Sequence, residues 1–198
     1  MGHISTLKKA ALAVAKDRKV IIPSGFEVDS EHLGDPARAL LRRIASSEAP
    51  PTLREKVIAV ARKELGVKEH PANSNDGPRV HEYQATTGAY KQPWCASFAK
   101  WVYIHAGASN LGRATADCTT WLGYPHVSPS AVKEGDAVLF DWDGGDVDHI
   151  GLFVRWVLNG KTFNTIEGNT SAGSNANGGE VQARQRNIGE VTAFIRVL

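Results

Sequence analysis

Residues 92–107 read QPWCASFAKWVYIHAG and contain the clearest helix of the chain. Large side chains recur every three or four positions along one face, at Phe98, Trp101, Val102 and His105. Gly107 follows them, and glycine is the residue that most often ends a helix in the left-handed conformation. We therefore predict a helix over residues 95–105, with Cys95 at its amino-terminal end.

Cys95 is the first candidate for chemistry because of that position. The amino terminus of a helix carries unpaired N–H groups and a partial positive charge, which stabilise a thiolate and also bind an oxyanion. A cysteine that only packs is the alternative interpretation, since a free cysteine is a small hydrophobic residue. Cys118, the other cysteine, has no recognisable helix start around it, and we expect it only to pack.

The sequence after Gly135 changes to short runs rich in Val, Ile, Phe and Thr, separated by turn residues. Five strands are predicted, over residues 137–140, 150–154, 162–167, 181–186 and 191–197. Helices followed by such a series of strands predict an α+β fold with an antiparallel sheet.

A catalytic cysteine requires a base, and the base requires an orienting group. Of the seven histidines, His149 opens a predicted strand directly after a turn-rich segment, so its ring can project from the end of the sheet. Glu167 and Asn169 end the next predicted strand. With Gly168 in the alternate position, both side chains are expected on one face, with Glu167 as the direct partner of His149 and Asn169 in a supporting role.

The segment before the cysteine combines a helix and a loop. Thr52 and Glu55 form a capping box, so a helix is predicted from Thr52 until Gly66 closes it. Residues 70–80 read HPANSNDGPRV, a composition typical of a loop.

Four segments, QPWCASFAKWVYIHAG, GDAVLF, DHIGLFV and TIEGNTS, occur in this order. Together they resemble the CHAP family, the cysteine- and histidine-dependent amidohydrolases and peptidases of bacterial and phage cell-wall enzymes. The resemblance covers residues 52–198 and implies a papain-like fold, in which helices pack on an antiparallel sheet. It also implies that Cys95 is the nucleophile and His149 the base, with Glu167 and Asn169 orienting the imidazole.

Four further residues are candidates for the oxyanion hole or the substrate cleft. The Gln92 side chain would join the backbone N–H of Cys95 in holding the oxyanion, and Asn75 lies in a loop that resembles one bordering the family's cleft. Trp94 and Trp142 neighbour the cysteine and the histidine in sequence, where an aromatic ring could stack a sugar.

No cofactor or metal is expected. The sequence contains neither an HExxH pattern nor a CxxC pair, and residues 90–94 offer no carboxylate for the calcium site that some CHAP enzymes carry. Residues 141–148, DWDGGDVD, lack the glycine and glutamate positions of an EF-hand, so we interpret them as a hairpin turn.

A domain boundary is predicted at Ala49, Pro50 and Pro51, because consecutive prolines interrupt the helical pattern. Residues 1–50 would form an N-terminal extension and residues 51–198 the catalytic domain. In the extension we predict a helix near residues 7–15, a short strand at residues 20–22 and a second helix from Asp35. The extension carries eight basic and six acidic side chains, against fifteen of each in the remainder, and we expect it to assist targeting or wall attachment.

Length and charge exclude several classes of protein. A chain of 198 residues suffices for one domain and an appendage, and a net charge of +2 is far from the basic excess that nucleic-acid binding requires. The longest apolar run near the N-terminus, residues 10–15, is too short for a signal peptide or a transmembrane segment. We expect synthesis in the cytoplasm without a signal peptide and action in the cell wall or periplasm, after release by a holin or delivery by a secretion system.

The activity expected from these features is hydrolysis of a peptidoglycan amide bond through a thioester, in a phage lysin or an antibacterial effector. The bond would be the N-acetylmuramoyl-L-alanine amide or a peptide bond of the stem or crossbridge. Two alternatives stay open: a cytosolic amidase acting on a small peptide-like metabolite, and a catalytically silent wall-binding module.

Overall fold

The computed structural model describes residues 20–21, 27–28 and 50–198. The chain divides into two units, Met1–Pro50 and Pro51–Leu198. In the first unit, β1 (Val20–Ile21) pairs antiparallel with β2 (Glu27–Val28), so the strand predicted at residues 20–22 is present over its first two residues. The helices predicted near residues 7–15 and from Asp35 lie outside the described residues.

Three α-helices of the second unit precede its sheet, namely α1 (Leu53–Lys63), α2 (Pro78–Ala85) and α3 (Cys95–Ala106). The predicted capping box is present at the start of α1, where Thr52 and Glu55 exchange hydrogen bonds. The helix ends at Lys63 rather than at Gly66. Gly66 instead has a φ of +86°, which turns the chain so that its N–H donates to the Val181 carbonyl at 2.9 Å. None of the helices in the described segments is long and apolar enough to cross a membrane.

Helix α2 corrects the prediction that all of residues 70–80 form a loop. Gly77 precedes the helix with a φ of +135°, and Pro78 occupies the first turn, where its missing N–H costs nothing. The helix buries Val80, Tyr83 and Gln84. Eight residues with so few apolar positions make a weak helical pattern, which explains why the sequence does not reveal it.

Six strands form one antiparallel sheet. The strands are β3 (His126–Val127), β4 (Ala137–Phe140), β5 (His149–Leu158), β6 (Thr162–Thr170), β7 (Glu180–Asn187) and β8 (Val191–Ile195). Numbered along the chain from β3 to β8, they lie side by side in the order β3-β8-β4-β5-β6-β7. All five strands predicted for this sheet are present, and its two-residue β3 is additional, as is β2 of the first unit. The α+β fold, with its helices ahead of the antiparallel sheet, is therefore confirmed.

The contact between α3 and β6 depends on Gly168. A Cβ atom at Gly168 would lie 2.7 Å from Cβ of Phe98 on α3, much closer than two carbon atoms normally approach. The glycine thus allows the helix to lie directly on the strand, and Phe98 joins Leu152 and Ile166 in the core between helices and sheet. This packing carries the amino terminus of α3 to the two strands that hold His149 and Glu167.

Residues 141–148 form the hairpin turn that the sequence predicts. β4 and β5 pair antiparallel with Phe140 opposite His149, and the Asp148 N–H donates to the Phe140 carbonyl at 2.9 Å. The Asp148 carboxylate in turn accepts the Trp142 N–H at 2.7 Å. His149 is consequently the first strand residue after a turn tied by its own side chains.

Candidate active site

Cys95 is the first residue of α3, as predicted, and its side chain is buried. Its Sγ lies 3.6 Å from Sγ of Cys118, and both cysteines are free thiols. The hydrogen bond with Cys118 lowers the pKa of Cys95 well below its ordinary value, and the positive charge of His149 and the Ile150 N–H act in the same direction against the effect of burial. These contacts favour the thiolate form of Cys95, which is the form that acts as a nucleophile.

Cys118 corrects the sequence prediction for that residue. It begins a 3-10 helix, Cys118–Gly123, whose N-cap Asp117 accepts the Thr119 N–H at 2.8 Å. The pKa of Cys118 is raised well above its ordinary value, first by the hydrogen bond with Cys95 and then by burial. The raised pKa favours the protonated thiol at Cys118, in a contact made by two residues 23 positions apart in the chain.

His149 is the first residue of β5 and is fully buried. Its Nε2 lies 3.0 Å from Oε2 of Glu167, while its Nδ1 has no hydrogen-bond partner within the described segments. A neutral imidazole that donates from Nε2 has its free acceptor at Nδ1, so this ring is oriented to take a proton there. Burial alone would lower the pKa of His149, but the Cys95 thiolate and then Glu167 outweigh it and raise the pKa to about 9.

Glu167, also fully buried, fills both of its carboxylate oxygens with donors. Oε1 accepts from Thr165 and from Nε of Arg186, and Oε2 accepts from His149 and from Nη2 of Arg186. Burial raises the pKa of this carboxyl, yet the hydrogen bonds of Arg186 and His149 dominate and lower it to about 2. Glu167 is therefore an anion, and it is the direct partner of His149 that the sequence predicts.

Arg186 is the site residue that sequence reasoning misses. It lies on β7 opposite Phe163 of β6, so its long side chain must reach along the sheet to Glu167. Nothing in the sequence of Glu180–Asn187 marks Arg186 as a site residue. Arg184 lies two positions earlier on the same strand, yet its side chain does not contact Glu167. Strand pairing places Arg184 opposite Thr165 and Arg186 opposite Phe163, so only the side-chain contacts of the folded protein distinguish the two arginines.

Among the described residues, Asn169 makes no hydrogen bond to His149, in contrast to the supporting role that the sequence predicts for it. Its φ of +57° and a register shift between Glu167 and Thr170 end the regular alternation of β6. The side chain instead accepts the Gly179 N–H at 3.1 Å and donates to Asn75 and Asn177. Asn169 consequently holds two loops together, one of them the predicted cleft loop.

The four predicted cleft residues differ in their surroundings. Trp94 is completely buried, stacks on Tyr83 and donates from Nε1 to Glu69 at 2.8 Å, so the prediction that it lines the cleft is wrong. Gln92 is exposed and Asn75 half-buried, and the backbone carbonyls of both accept hydrogen bonds from the Gln84 side chain. Trp142 is half-buried, with its ring centroid 5.7 Å from that of His149.

Three carboxylates of the hairpin turn, those of Asp141, Asp143 and Asp148, have oxygens within 4.8 Å of one another. Each of them accepts a backbone N–H of the same turn. These hydrogen bonds explain the three carboxylates as groups that cap the turn. That the activity requires no metal stays a prediction.

Comparison with known proteins places this site within a recognised domain. Residues 86–169 match the CHAP domain, which confirms the family resemblance and spans Cys95, His149 and Glu167. No match is found among curated proteins.

Two solved structures are similar to the chain. One is an NlpC/P60 family protein from Bacillus cereus, with 17% identity, a TM-score of 0.49 and coverage of 91% of this chain, which spans only 50% of that protein. The other is RipD from Mycobacterium tuberculosis, a non-catalytic NlpC/p60 domain protein adapted to peptidoglycan binding, with 15% identity, a TM-score of 0.47 and coverage of 75% of this chain and 100% of that one.

Proposed function

We propose that the protein is a peptidoglycan hydrolase that cleaves an amide bond through a thioester on Cys95. The observation that carries this proposal is the hydrogen bond of His149 Nε2 to the buried Glu167 carboxylate, which leaves Nδ1 of His149 free, together with the Cys95 thiol at the start of α3. Acyl transfer to a thiol requires three groups. They are a thiolate, here at a helix start, a histidine with a free Nδ1, and a buried carboxylate that binds the other nitrogen of that histidine. The CHAP match supports peptidoglycan as the substrate.

The reaction would begin with Cys95 as a thiolate and its proton bound to Nδ1 of His149. Sγ attacks the amide carbonyl carbon, and the backbone N–H of Cys95 at the start of α3 donates to the oxyanion, with the exposed Gln92 side chain as a second donor. His149 then protonates the leaving amine as the C–N bond breaks. Water, deprotonated by His149, attacks the thioester carbonyl; the C–S bond then breaks, the acid product leaves, and the Cys95 thiolate beside the His149 imidazolium is restored.

Glu167 supports both halves of this cycle because it holds the imidazole at Nε2. Its negative charge stabilises the imidazolium that forms whenever Cys95 is a thiolate. We infer that no metal takes part, and the activity should survive EDTA and be abolished by iodoacetamide.

The decisive experiment is mass spectrometry of fragments released from purified peptidoglycan, with Cys95→Ala as the control. Release of muropeptides by the native protein alone would support the proposal and identify the bond. Full activity of Cys95→Ala would contradict the mechanism. Binding to peptidoglycan without release would indicate a silent wall-binding module, and cleavage of small peptide-like amides alone would indicate a metabolic amidase.

The biological setting proposed here is action on the wall after release by a holin or delivery by a secretion system. Peptidoglycan lies outside the cytoplasmic membrane, and either route would bring a hydrolase made in the cytoplasm to it. A phage lysin and an antibacterial effector both fit this requirement.

A further inference from the structure

Arg186 is a buried cation held in a single position behind the candidate active site. Its side chain is 3% exposed, and its Nε and Nη2 donate to the two Glu167 oxygens at 2.9 and 2.5 Å. Its Nη1 donates to Asn175 Oδ1 at 2.8 Å. A fork of two parallel hydrogen bonds defines the orientation of a carboxylate more strictly than a single bond does.

Two aromatic rings complete the enclosure of the guanidinium. Its central carbon lies 5.2 Å from the ring centroid of Phe140 and 5.1 Å from that of Trp142, distances at which a cation is attracted to the ring. These rings are parallel to within 7° of each other, and Trp142 also lies beside His149. The cation is therefore positioned by the same elements that surround the histidine.

We propose that Arg186 is a positioning residue for the hydrolysis: it holds the Glu167 carboxylate against Nε2 of His149 and balances its negative charge. The inference rests on the proposed function, in which Cys95 and His149 carry out the chemistry. It adds a fourth member to that machinery, one that does not touch the reacting atoms.

The physical argument begins with the charge of a buried carboxylate. Leaving an ion unpaired in the interior is costly, and without Arg186 the Glu167 carboxylate would retain its charge only through the hydrogen bonds with His149 and Thr165. With Arg186 present, the Arg186–Glu167 ion pair is close to neutral. The Cys95 thiolate then supplies most of the electrostatic field at His149. Removing either partner alone therefore changes the charge near Cys95 by one unit, in opposite directions.

The titratable groups around His149 come from every element packed against it. Cys95 and Glu167 face the ring directly, Cys118 acts through Cys95, and Arg186 acts through Glu167. Asp148 is the preceding residue in the chain and is tied to the Trp142 N–H. Glu190 lies 3.9 Å from Nη1 of Arg186 on the far side of the guanidinium, and Phe140 and Trp142 contribute no charge.

The test compares Arg186→Gln, Glu167→Gln and the double variant. The rate of Cys95 alkylation by iodoacetamide is measured against pH, with the modified peptide identified by mass spectrometry so that Cys118 is distinguished. This measurement requires no substrate. In parallel, kcat/KM is measured against pH on one muropeptide.

We expect Arg186→Gln to move the midpoint of Cys95 alkylation to higher pH by about one unit, because an uncompensated carboxylate disfavours the thiolate. Glu167→Gln should move it to lower pH by a similar amount, and the double variant should return it near the native value. Arg184→Gln is the matched control. It removes an arginine from the same strand that contacts Ser171 and Asn175 rather than Glu167, and it should leave the midpoint unchanged.

The proposal is overturned if Arg186→Gln is folded and its midpoint equals that of the native protein, or if the two single variants shift in the same direction. Should Arg186→Gln fail to fold, Arg186→Lys is the deciding variant, since it keeps the positive charge but cannot form two parallel hydrogen bonds with Glu167. A native alkylation midpoint with a reduced kcat/KM supports the proposal. A native midpoint with a native kcat/KM contradicts it. If the alkylation shifts occur but no variant or native protein cleaves peptidoglycan, the proposed substrate is wrong while the charge balance by Arg186 stands.

Discussion

At the residue scale, the thiol of Cys118 is the neighbour with the largest effect on the nucleophile. Cys118→Ala removes the hydrogen bond to Cys95, so the pKa of Cys95 should rise while most of the activity remains at neutral pH. The alkylation rate of Cys95 against pH measures this change. Cys118→Ser, which retains a donor, should lie between the native protein and Cys118→Ala. Loss of activity as complete as in Cys95→Ala would show that Cys118 takes part in the chemistry itself.

Glu167 and Asn169 should respond very differently to substitution. Glu167→Gln removes the charge that stabilises the His149 imidazolium and should cost about a hundredfold or more in kcat/KM. Asn169→Ala should cost less, because its side chain contacts loop residues rather than His149. Asn169→Gly separates the side chain from the backbone, since glycine accepts the φ of +57° without strain. If Asn169→Ala is the more damaging variant in kcat/KM on one defined muropeptide, the two roles are reversed.

The pH dependence follows from the same residues. A raised pKa of His149, about 9 against an ordinary 6.5, means that the imidazolium persists through neutral pH and that activity falls as pH rises through about 9. His149 also contributes to the stability of the fold, and this contribution changes with pH in the same direction as the activity. It is complete below pH 6.5 and is lost as the pH rises through about 9. The carboxyl of Glu167 stays ionised until pH falls toward about 2, so the acidic limb of kcat/KM should report Cys95. An alkaline limb near pH 6.5 would contradict the ion pair.

At the scale of elements, the contact between α3 and β6 determines whether the site assembles. Gly168→Ala would place a Cβ atom 2.7 Å from Phe98, and this overpacking should reduce the free energy of unfolding by about 1–3 kcal/mol. Because the helix carries Cys95, kcat/KM should fall as well. Gly173→Ala is the control, since nothing lies within 4 Å of a Cβ at that position. Equal denaturant midpoints for the two variants would show that α3 and β6 adjust without cost.

At the scale of the whole molecule, the role of residues 1–50 is separable from that of the catalytic domain. A chain shortened to Pro51–Leu198 should stay folded and cut soluble muropeptides, because every candidate site residue lies in this second unit. Circular dichroism and the muropeptide assay test this expectation, and weaker activity on intact sacculi would indicate a targeting role for the removed segment. An insoluble or unfolded product would show instead that residues 1–50 belong to the core.

Most local elements of the second unit, apart from α2 and β3, and three of its reactive groups, Cys95, His149 and Glu167, can be predicted from the amino-acid sequence. The capping box of α1, the extent of α3 and the five main strands follow from caps and periodicity, which act between residues a few positions apart. The place of Cys95 at a helix start and of His149 after a turn follows from the same short-range rules. Glu167 as the partner of His149 required one further step, the expectation that consecutive strands pair.

Tertiary structure alone decided the contacts that no local pattern encodes. Cys118 contacts Cys95 because a 3-10 helix packs beside α3, and the Arg186 side chain extends along the sheet from its place opposite Phe163 to Glu167. Asn169 turns away from His149 because the strand changes register there, and Trp94 is buried by α2 and the loop before it. The physical reason is common to all of them: the position of a side chain relative to residues distant in the chain depends on how whole elements pack, and packing is determined by the complete core.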